Sequence, residues 1–550
     1  MKKIIMSLML VLAVIMLPFS ISISSDFASD TASTNIKTVT STTLDKAGYS
    51  KCDFVTKGSP FLENAGGSKL FRIPAMITLQ DGTLLACADA RYETTGDGGG
   101  LDTIIATSAD NGQTWNHSYA IRYPDSKGYA GVKATTCIDP AVIQGADGTI
   151  YIIADMNPTG VTTMGGYTSP NIGTGYMEIN GVDRLALTDN YSIVNTNPKD
   201  KAYPYYLGDI NEDGFATVYK TSDNSATKWV LDSWWNIYEN KDGVLTELSQ
   251  KQVDSEDFIQ QNAYYKDSVL HVYNTGYLLM VSSKDNGATW TPRVLNTQIK
   301  RDNEKALLVS PGKGTLTSDG TIIIPFYTFD RNGKKISQQA SFIWSKDNGT
   351  SWHRTESVPN TMMIKFTSES EMIELDDGTL RMFVRNGRNK IVYTDAIWDK
   401  NINNYLWTFP EETIVDVWSN CNVSAIKLSK KIDGKTAIMV ACPSTKSRIN
   451  GKIYTFLVDD NNTLIPTYEY AVNTGDYAYS CMDELKDGSI GLLYEAVPGT
   501  MKYINITVDK LTKNAYVSNA GTIALIASLS ILGAVAVVGI IVKIILTKKK

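Results

Sequence analysis

The sequence predicts an all-β fold assembled from a repeated sheet unit, and three observations predict it. Short apolar or alternating runs end repeatedly in tight turns at Asp81-Gly82, Asp147-Gly148, Asp319-Gly320, Asp377-Gly378 and Asp487-Gly488, the signature of hairpins between strands. No long segment of 3.6-residue periodicity interrupts them. Sharpest is the motif S-x-D-x-G-x-[ST]-W, which occurs at 108–115, 283–290 and 345–352. It describes a hairpin closed on itself. Asp accepts turn N–H groups, Gly supplies a positive φ, the hydroxyls bond locally, and Trp plugs the end of the sheet. Three copies, each after an apolar strand, mark a repeated blade.

Taken in order from the N-terminus, Met1-Lys2-Lys3 precedes an apolar run to about Ile23, followed by small Ser24, Ser25 and Ala28. This reads as a secretory signal peptide over 1–25, with an uncleaved signal-anchor helix as the competing reading. Residues 26–54, rich in Ser, Thr, Asp and Ala, read as a solvated linker. At the far end an uncharged apolar run, about 522–542, is followed by Lys543 and Lys548-Lys549-Lys550. It predicts a transmembrane helix over 520–542 and a short basic cytoplasmic tail over 543–550; a GPI signal is the alternative. The expected product is a cell-surface, single-pass type I membrane protein with its bulk outside. Six cysteines (Cys52, Cys87, Cys137, Cys421, Cys442, Cys481) fall in that bulk. Oxidising surroundings permit disulfides, though free buried thiols fit as well, and no CxxC or His/Cys cluster points to zinc.

Composition narrows the function. Across 550 residues, 20% are charged and the net charge is −6, which gives no electrostatic footprint for nucleic acid. Only three histidines are present (His117, His271, His353), so Ser/His and metal-His chemistry have little to work with. Nucleophile-elbow, P-loop and dinucleotide motifs are absent.

The three repeats are identified as the Asp boxes of the sialidase family, and Phe71-Arg72-Ile73-Pro74 resembles its Phe/Tyr-Arg-Ile-Pro motif. The resemblance covers about residues 55–510 and implies a six-bladed β-propeller. The box-free, aromatic-rich stretch at about 176–277 resembles a small β subdomain that some microbial sialidases insert. The implied activity is exo-sialidase: hydrolysis of terminal α-linked sialic acid from glycoproteins, glycolipids or oligosaccharides, with retention.

Sialic acid carries a carboxylate on its anomeric carbon, so its site needs cations that keep their charge, and guanidinium forks suit this. By motif, Arg72, Arg385 and Arg448 resemble the family's arginine triad, with Arg388 a rival to Arg385. An Asp or Glu nucleophile would meet that carboxylate's repulsion; a neutral phenol avoids it. Tyr479 matches the nucleophile, with Tyr477 the nearby ambiguity. A phenol of pKa about 10 needs a base, and Glu369 matches it, with Glu371 the runner-up on the same strand face. Asp97, in a Gly-rich loop, falls where the family's acid/base lies, with Asp89, Glu93 and Asp102 as fallbacks. Arg91 falls where a sugar-binding Arg lies. Asp139 resembles the residue beside the ring substituents, and Glu495 the one that orients Arg72. No cofactor or metal is needed by this scheme. A trans-sialidase would use the same residues, whereas a non-catalytic sialic-acid-binding adhesin predicts loss of Tyr479, Glu369 or Asp97.

Overall fold

A computed structural model describes residues 38–40 and 44–517, apart from 93–94, 127–130, 164–167, 202, 253–254, 333–334, 418–419 and 446. The expected signal peptide (1–25), transmembrane helix (520–542) and tail (543–550) lie outside these residues. Among the described residues no helix is long and apolar enough to cross a membrane.

The fold is all-β, with sheets in a propeller-like arrangement. A ten-stranded sheet contains two successive meanders. The first runs through Leu70–Thr78, Leu84–Arg91, Gly99–Ser108 and Thr114–Arg122; the second through Gly131–Gln144, Ile150–Asn157, Tyr277–Ser283 and Thr291–Val294. Two five-stranded sheets, a four-stranded and a three-stranded one follow in chain order. The last begins with Ser480–Glu484, which packs back on Leu70–Thr78 and closes the ring.

Splayed sheets cannot share a backbone ladder at their junctions, so buried N–H groups there need other acceptors. Side chains supply them. Asp483 accepts from the Thr78 amide at 2.6 Å and Ser424 Oγ from the Met482 amide at 2.8 Å. Glu371 accepts from Ala425 at 3.0 Å, Thr367 Oγ1 from Ala340 at 3.0 Å, and Asp155 from Val309 at 3.0 Å. Polar residues on otherwise apolar inner strands are therefore staples between sheets.

The box hairpins follow the predicted chemistry. Asp110 accepts from the Ser108 and Thr114 hydroxyls at 2.7 and 2.6 Å and from the Thr114 amide at 2.9 Å. Gly112 has φ 86°, and Trp115 is buried. Asp285 and Asp347 repeat the pattern. The box asparagines also reach Asp-Gly turns elsewhere: Asn111 donates to Asp487 at 3.1 Å and Asn286 to Asp81 at 3.3 Å.

Between Ile150–Asn157 and Tyr277–Ser283, which pair with each other, the chain contributes eight strands from segments between Tyr176 and Val272 to a separate nine-stranded sheet. Thr38–Thr40 adds to it in parallel. The end of the stretch read as linker is also strand: Gly48–Lys57 pairs with Thr114–Arg122. Its side chains are largely exposed, as suits an edge strand, which is why its composition mimicked a linker. All six cysteines are free, five of them buried.

Candidate active site

Three strands carry a one-residue bulge where a predicted site residue sits. In Leu70–Thr78 the register slips between Arg72, opposite Asp89, and Ala75, opposite Cys87, and Ile73 has φ 63°. In Gly131–Gln144 it slips between Ile138 and Ala141, and Asp139 has φ 62°. In Thr367–Glu374 it slips between Thr367 and Ser370, the span holding Glu369. Left-handed backbone at a β-branched residue costs roughly 1–2 kcal/mol, and a bulge is the device that re-aims a side chain. Pro74 and Pro140 fit here because proline within a sheet belongs at bulges and edges. A fourth strained element holds Arg448: Ser447 and Arg448 in its hairpin have φ 71° and 54°, and the Arg448 carbonyl accepts from the Tyr477 amide at 2.8 Å.

These elements converge on a hollow of about 310 Å³ lined by Arg72, Asp97, Asp139, Glu369, Arg385, Arg448 and Tyr479 among others. The Tyr479 hydroxyl donates to Glu369 Oε1 at 2.6 Å. One Arg385 nitrogen lies 2.7 Å from Glu369 Oε2 and 2.9 Å from the Tyr479 oxygen. Arg72 and Arg448 lie over the Tyr479 ring at 5.5 and 5.3 Å from its centre. Arg72 also donates to Glu495 at 3.2 Å and to Asp97 at 3.1 Å, while Glu495 accepts from the Ile73 amide at 2.9 Å. Glu495 thus stands behind Arg72 and fixes both it and the bulge.

Burial sets the protonation states. It pushes the Tyr479 phenol well above its ordinary value, and the charge of Glu369 adds to this against Arg385 and Arg448. A free phenolate is therefore not preformed. Burial opposes the charge on Arg72, but Glu495 and Asp97 more than reverse it; Glu369 and Tyr479 do the same for Arg385. Asp97 is the opposite kind of carboxyl: burial raises it, yet Arg91 and Arg72 bring it below the ordinary range. Asp139 is driven well up by burial and then by Asp89, Glu369 and Asp155.

Arg91, expected to touch sugar, does not line the hollow. Only 1% exposed, it spends its fork on Asp89 at 2.7 Å, the carbonyls of Thr95 and Gly96 at 2.6 and 2.8 Å, and Asp97 at 2.8 Å. The reason is electrostatic: fully buried Asp89 requires a cation, and Arg91 two residues along supplies it. Glu371 is a junction staple; Arg388 pairs with Glu412 at 2.6 Å. Tyr477 is buried and stacked on Tyr494, with ring centres 4.9 Å apart. Asp102 accepts from Tyr92 and the Tyr123 amide, and Glu93 lies outside the described residues. Unforeseen wall residues include Asp155, Asn157 and Tyr327. Asp155 Oδ2 and Asn157 Oδ1 have no partner among the described residues. Their signal was available: both are polar residues in the fully buried strand Ile150–Asn157.

Residues 73–482 match the BNR repeat-like domain. The chain belongs to the BNR-repeat sialidase family. An anhydrosialidase of Macrobdella decora is 30% identical over 475 residues, taking in 78% of this chain and 58% of that protein. Sialidase B of Streptococcus pneumoniae serotype 4 is 27% identical over 483 residues, 80% of this chain and 65% of its own. This chain therefore spans about three-fifths of the length of these two relatives. Among solved structures, the intramolecular trans-sialidase of Ruminococcus gnavus in complex with oseltamivir carboxylate superposes with a TM-score of 0.70 at 27% identity. That match covers 83% of this chain and 98% of the other.

Proposed function

We propose that this protein is a retaining exo-sialidase that releases terminal α-linked sialic acid from glycans, on a frame of six blades if the ten-stranded sheet is counted as two. The observation that carries the reading is the 2.6 Å hydrogen bond from Tyr479 to Glu369 inside a hollow walled by three arginines. Arg72, Arg385 and Arg448 bind the sugar's carboxylate with charge-assisted bonds. Tyr479 Oη attacks the anomeric carbon as its proton passes to Glu369, because a phenol held so far up cannot ionise beforehand. Asp97 gives its proton to the glycosidic oxygen, and the glycan leaves as an alcohol. Asp97 must first be protonated, and the arriving carboxylate favours this by offsetting the cations that hold Asp97 down. The Asp97 carboxylate then takes a proton from water, which attacks the glycosyl-tyrosine while Glu369 returns its proton to the phenolate. No metal enters this scheme. Asp139, whose carboxyl burial pushes well above its ordinary range, lies on the wall beside the ring.

A second reading has specific support: two of the three relatives named above are an anhydrosialidase and an intramolecular trans-sialidase. In that reading a hydroxyl of the bound sugar replaces water in the second half, and the product lacks one water. Transfer to an external sugar is the remaining variant. The test uses purified full-length protein with sialyllactose, mass analysis of the product, and a Tyr479→Phe variant. Hydrolysis yields free sialic acid, intramolecular transfer its anhydride, and external transfer a new sialoside. The variant should lose roughly 10³-fold in rate; full activity in it would remove the nucleophile, and an inactive wild type would favour a binding protein. We further propose that the domain is exported and held at the cell surface, supported by the apolar runs at both ends. Release of activity by protease treatment of intact cells tests it.

A further inference from the structure

The strands give the fold two ends. Arg72 and Glu369 lie near the start of Leu70–Thr78 and Thr367–Glu374, and Tyr479 just before Ser480–Glu484, all at the arginine-walled hollow. The last residues of the same three strands, Thr78, Glu374 and Glu484, line a different hollow of about 350 Å³. That one marks the far end.

The C-terminal chain has a definite place and direction between them. Ile449–Val458 starts beside Arg448 and runs to the far end; Leu464–Asp476 returns, with Leu464 opposite Val458 and Asp476 opposite Ile449. The chain ending at Val517 docks on this returning strand. Glu469 N donates to the Asn514 carbonyl at 3.0 Å, Tyr516 N donates to the Thr467 carbonyl at 2.9 Å, and Ala515 bridges Tyr468 in antiparallel sense. Tyr516 is pinned edge-on against Tyr454, with ring centres 6.2 Å apart. Antiparallel to a strand that returns towards the arginine-walled hollow, the chain from Asn514 to Val517 runs away from it.

Reach then bounds where the apolar run at 522–542 begins. Val517 follows the residue bonded to Thr467, so the chain leaves near the level of Pro466 and its partner Phe456. From Ile449 to Phe456 the strand rises about 23 Å. The chain from Val517 to position 522 spans at most about 17 Å. Even turned straight back, position 522 falls short of the arginine-walled hollow. Continued onward, it clears the level of Leu464, where the hairpin turns. Exposed apolar side chains at that end suit contact with lipid: Ile465 beside Leu464 is 45% exposed, and Ile402, in the turn after Lys390–Asp399, is 54% exposed.

Resting on the readings of a sialidase held at the cell surface by the run at 522–542, we propose that the domain stands on its lipid bilayer by the end remote from the arginine-walled hollow. The hollow then faces outward and takes sialylated glycans presented from outside, not glycolipids of the bilayer that holds it. The test reconstitutes full-length protein into phosphatidylcholine vesicles carrying a monosialylated glycolipid, with sialyllactose added outside; the same mixture dissolved in detergent is the reference. The ratio of glycolipid to sialyllactose turnover should be at least about tenfold lower in vesicles, because a tether too short to join two sites brings their effective concentration towards zero. Inserting about 20 Gly/Ser residues after Val517, with a root-mean-square reach of about 25 Å, should raise glycolipid turnover in vesicles at least about fivefold and leave sialyllactose turnover unchanged. Equal ratios in vesicles and detergent overturn the orientation, as does an insertion variant that spares the glycolipid as wild type does. Protein that fails to float with the vesicles overturns the surface anchor instead, and wild type inactive on sialyllactose in detergent overturns the sialidase reading.

Discussion

The box hairpins and the bulged strands of the site use the same residue, aspartate, to opposite ends. In the boxes, bonds from Thr114 and Ser108 bring Asp110 down to about 2, and bonds from Ser351 and Ser345 bring Asp347 to about 2 against its partial burial. At the site, burial drives Asp139 and Asp155 well above the ordinary range. The box aspartates make their bonds within four residues. The site's pairs join residues 423 apart (Arg72 and Glu495) and 110 apart (Tyr479 and Glu369). Local satisfaction yields a carboxylate that stays ionised and holds a turn. Long-range convergence yields buried groups whose protonation can be used for chemistry.

The comparison breaks most visibly at the two glutamates of Thr367–Glu374. On the proposed mechanism Glu369→Gln removes the base for Tyr479 and should lower kcat roughly 10³-fold on sialyllactose. Glu371→Gln keeps an oxygen for the Ala425 amide and should leave kcat essentially unchanged. It should instead alter stability. Burial pushes Glu371 up to about 7 from its ordinary 4.5, so the folded state holds a proton that the unfolded state releases. That contribution is complete below pH 4.5 and lost as pH rises through about 7. The Gln variant should therefore lose less Tm than wild type between pH 5 and 7. Equal kcat losses in the two variants would erase the distinction between base and staple.

Asp97→Asn sharpens the same contrast with the leaving group as probe. Without the proposed general acid, roughly 10²-fold should be lost on sialyllactose. A nitrophenyl sialoside, whose leaving group departs as a stable phenolate, should lose far less. Parallel losses would assign Asp97 to binding.

These effects also explain what could be read from sequence. The boxes were legible because each is complete within eight residues, and the Asp-Gly turns because glycine's positive φ is a local demand. The bulges at Ile73-Pro74 and Asp139-Pro140 left a trace, since proline in a strand needs such a place. The bulge at Glu369 has no proline, so alternation alone left Glu369 and Glu371 equivalent. Family motifs, not periodicity, singled out Tyr479, Arg385 and Arg448, which the fold brings to one hollow. They gave no hint of the inward turn of Arg91, which is dictated by Asp89, whose burial only the folded chain reveals.

A smaller effect concerns acid stability. Asp110 binds its proton less readily folded, at about 2, than at its ordinary 3.8. Its contribution is present above pH 3.8 and lost as pH falls through about 2. Asp110→Asn should lower Tm at pH 7 yet flatten its fall between pH 4 and 2, with kcat at neutral pH unmoved. A Tm curve parallel to wild type would mean that the box carboxylate carries no linkage.

The smallest expected difference lies among the boxes themselves. Trp115 and Trp290 donate from Nε1 to the carbonyls of Gly112 and Gly287 at 3.0 and 3.2 Å. Trp352 Nε1 is buried and has no partner among the described residues. Replacement by Phe removes similar apolar volume at each site, so the cavity cost is shared. At Trp115 it also removes a hydrogen bond worth about 1 kcal/mol, whereas at Trp352 it removes a buried donor that was costing free energy. Trp115→Phe should therefore destabilise by at least about 1 kcal/mol more than Trp352→Phe in urea unfolding. Equal losses would mean that the Trp352 donor is satisfied by water, and that the third box is no weaker than the first.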